Sequence, residues 1–169
     1  AREGGLDVVY VASANAGATS LNLYRYQLTN LANPAVDQIS KVGAYAVGVA
    51  GQTTCGYDPG HKLFVRTGNN TTPFQFWDLT IAGPNNPDKS VQVNASMAAL
   101  QSWMSTNSVN IQNCGLEYDP TRARFALWCG AGVIWELTPP ASGNTTTGWT
   151  ATQRPVPPPP APPGDVQTG

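Results

Sequence analysis

Charge is scarce in this chain: Lys and Arg total nine and Asp and Glu ten among 169 residues. These charges are scattered singly, so the basic stripe that marks nucleic-acid binding is missing and no nucleic-acid partner is expected. No apolar run approaches the roughly 20 residues that cross a bilayer, so no membrane span is expected either. Histidine is scarcer still, with His61 the only one. One imidazole cannot build a multi-histidine metal centre. A Ser-His-Asp triad would have to run through it, and no Gly-x-Ser-x-Gly elbow accompanies it. Neither a metal nor a cofactor is expected. The three cysteines, Cys55, Cys114 and Cys129, fit no zinc spacing.

What the chain does contain is a repeat. Three segments end on a Leu-Thr pair after an aromatic-rich run: Leu23-Tyr24-Arg25-Tyr26-Gln27-Leu28-Thr29, Phe74-Gln75-Phe76-Trp77-Asp78-Leu79-Thr80 and Val133-Ile134-Trp135-Glu136-Leu137-Thr138. Ahead of the last two stands a second shared element, Tyr57-Asp58-Pro59 and Tyr118-Asp119-Pro120, each followed at the same distance by a Phe, Phe64 and Phe125. Two unlike motifs recurring in the same order identify a repeated structural unit.

In the third unit, 114–118 predicts a strand and Asp119-Pro120-Thr121-Arg122 a turn, because Pro presets φ and Asp bonds its own backbone. A second strand follows at 124–129. Gly130-Ala131-Gly132 turns the chain into a third at 133–137, which Pro139-Pro140 end. Residues 149–152 supply a fourth. The second unit predicts strands at 53–57, 62–67, 74–79 and 90–93. The first predicts only 7–11 and 21–28, with nothing upstream to serve as its innermost strand and with Val8–Val11 left as an unpaired edge. Between the second and third units, Ser96 to Met104 reads as a short helix capped at Asn94 or Ser96.

The order Tyr-Asp-Pro, turn, Phe-x-Leu-Trp, Gly-x-Gly, Trp-Glu-Leu resembles kelch-type blades of the galactose-oxidase-like β-propeller superfamily. The likeness covers about 51–80 and 114–150, and 7–29 in part. The double-Gly signature of such blades is present only as Gly130-x-Gly132. The resemblance implies an all-β fold of antiparallel propeller-like blades, with a β-sandwich as the alternative. It implies blade units at about 1–50, 51–113 and 114–153, and residues 154–169 as a Pro-rich connector or tail. Propellers close with about four or more blades, so the set is incomplete and further blades are expected from the same protein or other subunits. The copper-radical site of galactose oxidase needs paired histidines, so that activity is not implied.

Folding 114–118 back on 125–129 places Cys114 opposite Cys129. A cross-strand disulfide fits there if the pair is a non-hydrogen-bonded one, leaving Cys55 as the free thiol. The other reading makes all three small buried hydrophobes. Among the acids, Asp58 and Asp119 read as turn formers, and Asp78 and Glu136 occupy equivalent repeat positions. Glu117 is the acid least explained by structure. Trp103, in the insertion between units, is the first choice for a ligand contact. His61 reads as a solvated turn residue. Asn69, Asn70, Asn94 and Asn144 each open an Asn-x-Ser/Thr sequon.

Asn, Thr, Ser and Gly in place of Lys and Glu is the composition of secreted β-proteins. Residues 1–5 are not a secretion signal, so any such signal is removed or lies upstream. The function expected is a non-catalytic binding or scaffold module of a secreted protein, with a carbohydrate or protein ligand. The alternative is a fragment of a polysaccharide-active or galactose-oxidase-like enzyme whose active site lies outside this chain.

Overall fold

The computed structural model describes residues 2–3, 5–13, 20–30, 32–46, 54–68, 74–79, 90–92, 97–130, 132–141 and 147–155. They form three four-stranded antiparallel sheets, each a simple meander, with one helix. Sheet 1 holds β1 (Arg2–Glu3), β2 (Leu6–Ser13), β3 (Ser20–Leu28) and β4 (Gln38–Ala46). Sheet 2 holds β5 (Cys55–Asp58), β6 (Leu63–Thr67), β7 (Phe74–Asp78) and β8 (Ser90–Gln92). Sheet 3 holds β9 (Gly115–Asp119), β10 (Arg124–Trp128), β11 (Ile134–Thr138) and β12 (Thr150–Arg154). The helix α1 (Ala98–Thr106) precedes sheet 3. The fold is all-β, and the described strands make three open sheets with no closed ring.

Sheet 1 corrects the expectation that its innermost strand is missing. β1 occupies that place, pairing Arg2 with Asp7 and Glu3 with Leu6, but it stops short of the Val8–Val11 edge. A two-residue strand carries no periodicity to read, and Gly5, at φ 84°, makes the turn that returns it. β4 is a further strand beyond the two expected in the first unit. Its Gln-Ile-Ser-Lys alternation is readable, but a register shift opposite Leu23/Tyr24 interrupts the pattern. The helix starts at Met97, which makes no side-chain capping bond. Asn94 and Ser96, the expected caps, lie outside the described residues, as do the sequon asparagines Asn69, Asn70 and Asn144 and the stretch 156–169.

The two Tyr-Asp-Pro hairpins are near copies. Tyr57 pairs with Phe64 and Tyr118 with Phe125, which explains the constant Tyr-to-Phe distance. Each loop ends on a residue forced into the left-handed region, Lys62 at φ 54° and Ala123 at φ 53°. Beyond the hairpin the units diverge: Trp77 pairs with Phe64, whereas Trp135 pairs with Leu127 and Phe125 meets Leu137. This slide of the third strand by an even step keeps each side chain on its own face; an odd one would turn the core outwards.

Alternation along β6 sends Leu63 and Val65 to one face of sheet 2 and Phe64 to the other, and all are buried. The sheet is therefore covered on both sides. Towards sheet 1, Phe64 and Trp77 pack with Leu23, Tyr10 and Tyr57. Towards sheet 3, Leu63, Val65, Phe74 and Phe76 meet Leu116, Phe125, Leu127 and Leu137, and α1 adds Leu100 and Met104. Trp149, just before β12, closes this layer with its ring 5.4 Å from Phe76 and 6.3 Å from Phe125. The first strands of sheets 2 and 3 converge. The Thr54 hydroxyl donates to the Cys114 carbonyl at 3.1 Å, and a Cβ added to Gly56 would stand 3.1 Å from the Phe125 ring.

Candidate functional site

The turn acids explain their own placement. Asp58 Oδ1 accepts from the backbone N–H of Gly60 and His61 at 2.9 and 3.2 Å. Asp119 Oδ1 does the same with Thr121 and Arg122 at 2.9 and 3.3 Å. The second oxygen binds the side chain three residues on, His61 Nδ1 at 2.6 Å in one turn and Arg122 at 3.5 Å in the other. His61 is therefore oriented by a fully buried carboxylate rather than simply solvated. The Tyr118 hydroxyl also bonds Asp58; burial first, and then this carboxylate, push the phenol well above its ordinary value. An Asp-held imidazole is the beginning of an acid–base pair. Its counterpart, Arg122, fills the same position in the other turn without any such chemistry.

Glu136 is the most committed acid of sheet 3. Arg124 donates to its Oε2 at 2.5 Å and Arg154 binds the same oxygen. The Arg154 bond first, with Arg124 adding to it, holds the carboxyl below its ordinary value against the opposing effect of burial. Glu117 is exposed on β9, and its Oε1 accepts from the Tyr118 N–H at 3.2 Å. Trp103 lies half-buried against the core with its ring 5.8 Å from Trp135. Glu117 and Trp103 thus share no site. Cys114 and Cys129 form the cross-strand disulfide, Cα atoms 4.1 Å apart, and Cys55 is the free thiol. Desolvation and then the Glu117 carboxylate raise the Cys55 pKa, which disfavours a reactive thiolate.

A concave feature among the described residues lies on the face of sheet 3 turned away from sheet 2. A recess of about 380 Å³ is lined by Asp119, Arg122, Arg124, Ala126, Ile134, Glu136 and Arg154. Its volume falls within the ~300–1,000 Å³ typical of small-molecule sites. β10 contributes Arg124 and Ala126, β11 Ile134 and Glu136, and β12 Arg154, all by period-two alternation. Three guanidiniums face two carboxylates over a floor of Ala126 and Ile134. No local motif marks any of these arginines. Their signal is the antiparallel register, which sets Glu136 opposite Ala126 and Thr152 and so leaves Arg124 and Arg154 diagonal to it on the same face.

Buried polarity is not confined to this face. Arg66, on the middle strand of sheet 2, is 2% exposed, and burial pulls its pKa down to about 10. Among the described residues no group of His, Cys, Asp and Glu could hold a metal ion, and no helix is long and apolar enough to cross a membrane. No protein-family model and no curated protein matches the chain.

Proposed function

We propose that the chain is a non-catalytic binding or scaffold module of a secreted protein, built from blade-like sheets of the kelch-type kind. The observation that carries this reading is the employment of the acids. Asp58 and Asp119 hold equivalent turns, and Glu136 is shared between two arginines. A glycosidase needs two carboxyl groups facing one another across an open cleft, one free to give a proton and one free to attack or to activate water. The recess instead offers donors on a rigid sheet, the equipment of recognition rather than turnover. The disulfide Cys114–Cys129 favours an oxidising compartment.

The test is a carbohydrate panel scored twice on the purified protein, once for binding and once for release of reducing ends or oxidation. Binding without product supports the module. Product formation that vanishes in Glu117→Gln would instead support an enzyme.

A further inference from the structure

We propose that the recess on the outer face of sheet 3 binds the carboxylate of an acidic saccharide. The recess already demonstrates the recognition, because Arg124 and Arg154 hold the Glu136 carboxylate between them. Planar guanidinium forks match a carboxylate with paired N–H donors, and each has donors to spare once one bond is made. The lining carries one net positive charge, three arginines against Asp119 and Glu136, with exposed Glu117 beside Ala126 on the same face at its margin. Arg122 is the natural first contact. Its side chain is 64% exposed and its link to Asp119, at 3.5 Å, is the longest ion pair of the recess. Beneath the charges, Ala126 and Ile134 form an apolar floor against which the C–H face of a sugar ring can lie.

Comparison with sheet 2 supplies an independent observation. At the positions where sheet 2 turns Leu63, Val65 and Phe76 towards its neighbour, sheet 3 turns Arg124, Ala126 and Ile134 outwards. The acid belongs to the repeat, since buried Asp78 of sheet 2 stands where Glu136 stands in sheet 3, but a face meant only for dry contact with another sheet has no use for the arginine that replaces Leu63. The face therefore departs from the repeat in the direction of anion recognition.

The proposal rests on the binding-module reading and is tested by calorimetric titration of the whole chain with trigalacturonate, with neutral cellotriose and inorganic sulfate as comparison ligands. The acidic sugar should bind, at least about tenfold more tightly than the neutral one, and rising salt should weaken it. Arg122→Ala and Arg154→Ala should each lower its affinity by about tenfold. Glu136→Gln should raise it, because the built-in competitor loses its charge; a merely structural role for Glu136 predicts the opposite. Neutral and acidic sugars binding equally would overturn the anion proposal and leave the module standing. Cleavage of either sugar would overturn the module. Sulfate displacing trigalacturonate at equal concentration would show a general anion site and overturn the saccharide assignment. Failure of trigalacturonate to bind the unmodified chain would overturn the proposal outright, whatever the variants do.

Discussion

The two faces of sheet 2 are covered very differently. Towards sheet 3 the layer is continuous: both sheets, α1, Ile111, Trp149 and the disulfide cysteines are buried in one cluster. Towards sheet 1, among the described residues, Leu23, Phe64 and Trp77 form a smaller buried cluster with Tyr10, Ala12, Tyr57 and Leu79 around them, and Val8 is also buried. Sheet 1 also leaves apolar side chains exposed, Val9 at 46%, Val11 at 45% and Ile39 at 68%. Hydrophobic stabilisation scales with apolar area removed from water. Among the described residues, apolar burial is therefore concentrated between sheets 2 and 3, with a thinner layer against sheet 1. Local opening should begin at the thinner layer, and amide exchange should be faster in β2 and β3 than in β10 and β11.

Repeat-equivalent phenylalanines provide the strongest way to break this comparison. Phe125→Ala empties the thick layer and should cost about 3–5 kcal/mol in denaturant unfolding. Phe64→Ala empties the thin one and should cost no more than about 3 kcal/mol, since fewer buried neighbours lose contacts. Equal losses would mean that the two layers contribute alike.

Removing the staple comes next. Replacing both Cys114 and Cys129 by Ala opens a loop with a sequence separation of 15, and its closure contributes about 3 kcal/mol. The loss should appear as faster exchange throughout β9 and β10 with sheet 1 little changed. A uniform loss across all three sheets would show them to unfold as one unit.

A pH profile sharpens the contrast further. The Glu136 carboxyl is held below its ordinary value in the folded chain, mainly by Arg154 and then by Arg124. A depressed carboxyl pKa stabilises the fold above the unfolded value of about 4.3, and that stabilisation is lost as pH falls through the folded value. Glu136→Gln should therefore flatten the acid side of the stability profile. Asp37, held down by the Thr29 N–H and then by the Tyr26 hydroxyl, should still produce a residual slope from sheet 1. An unchanged profile in Glu136→Gln would mean that the ion-pair network is fully screened.

The smallest expected effect is a gain. Ala123 sits in the left-handed region at φ 53°, a conformation that costs an L-residue roughly 1–2 kcal/mol. Ala123→Gly relieves it but loosens the unfolded chain, leaving a net stabilisation of about 0.5–1 kcal/mol by thermal unfolding. Lys62→Gly should do the same for the matching turn of sheet 2. Destabilisation at either position would show that the backbone there is held by the side chain.

The all-β class, the meander of each unit and most strand positions were readable because they rest on local chemistry. Asp-Pro turns, Gly130 and Gly132 at positive φ, and alternating apolar residues act over a few positions. The cysteine pairing was half readable. The hairpin places Cys114 opposite Cys129, but whether that pair can bond depends on where it falls in the hydrogen-bond ladder. β1 is too short to carry a pattern, and a register shift breaks that of β4.

The recess was not legible at all. Arg124, Glu136 and Arg154 are separated along the chain, and only strand pairing brings them to one face as diagonal neighbours. The role of His61 was hidden for a related reason: its partner Asp58 is near in sequence, but the burial of that carboxylate comes from sheet packing, and Tyr118 reaches it from another sheet. The sequence by itself thus determined what short-range forces decide: turn positions, strand alternation, and two hairpins that close alike. Tertiary structure decided which sheet lies between the other two, which face of sheet 3 carries arginines over an apolar floor, and which acids are spent on structure. Those outcomes depend on register and on contacts between distant segments, which no local pattern records.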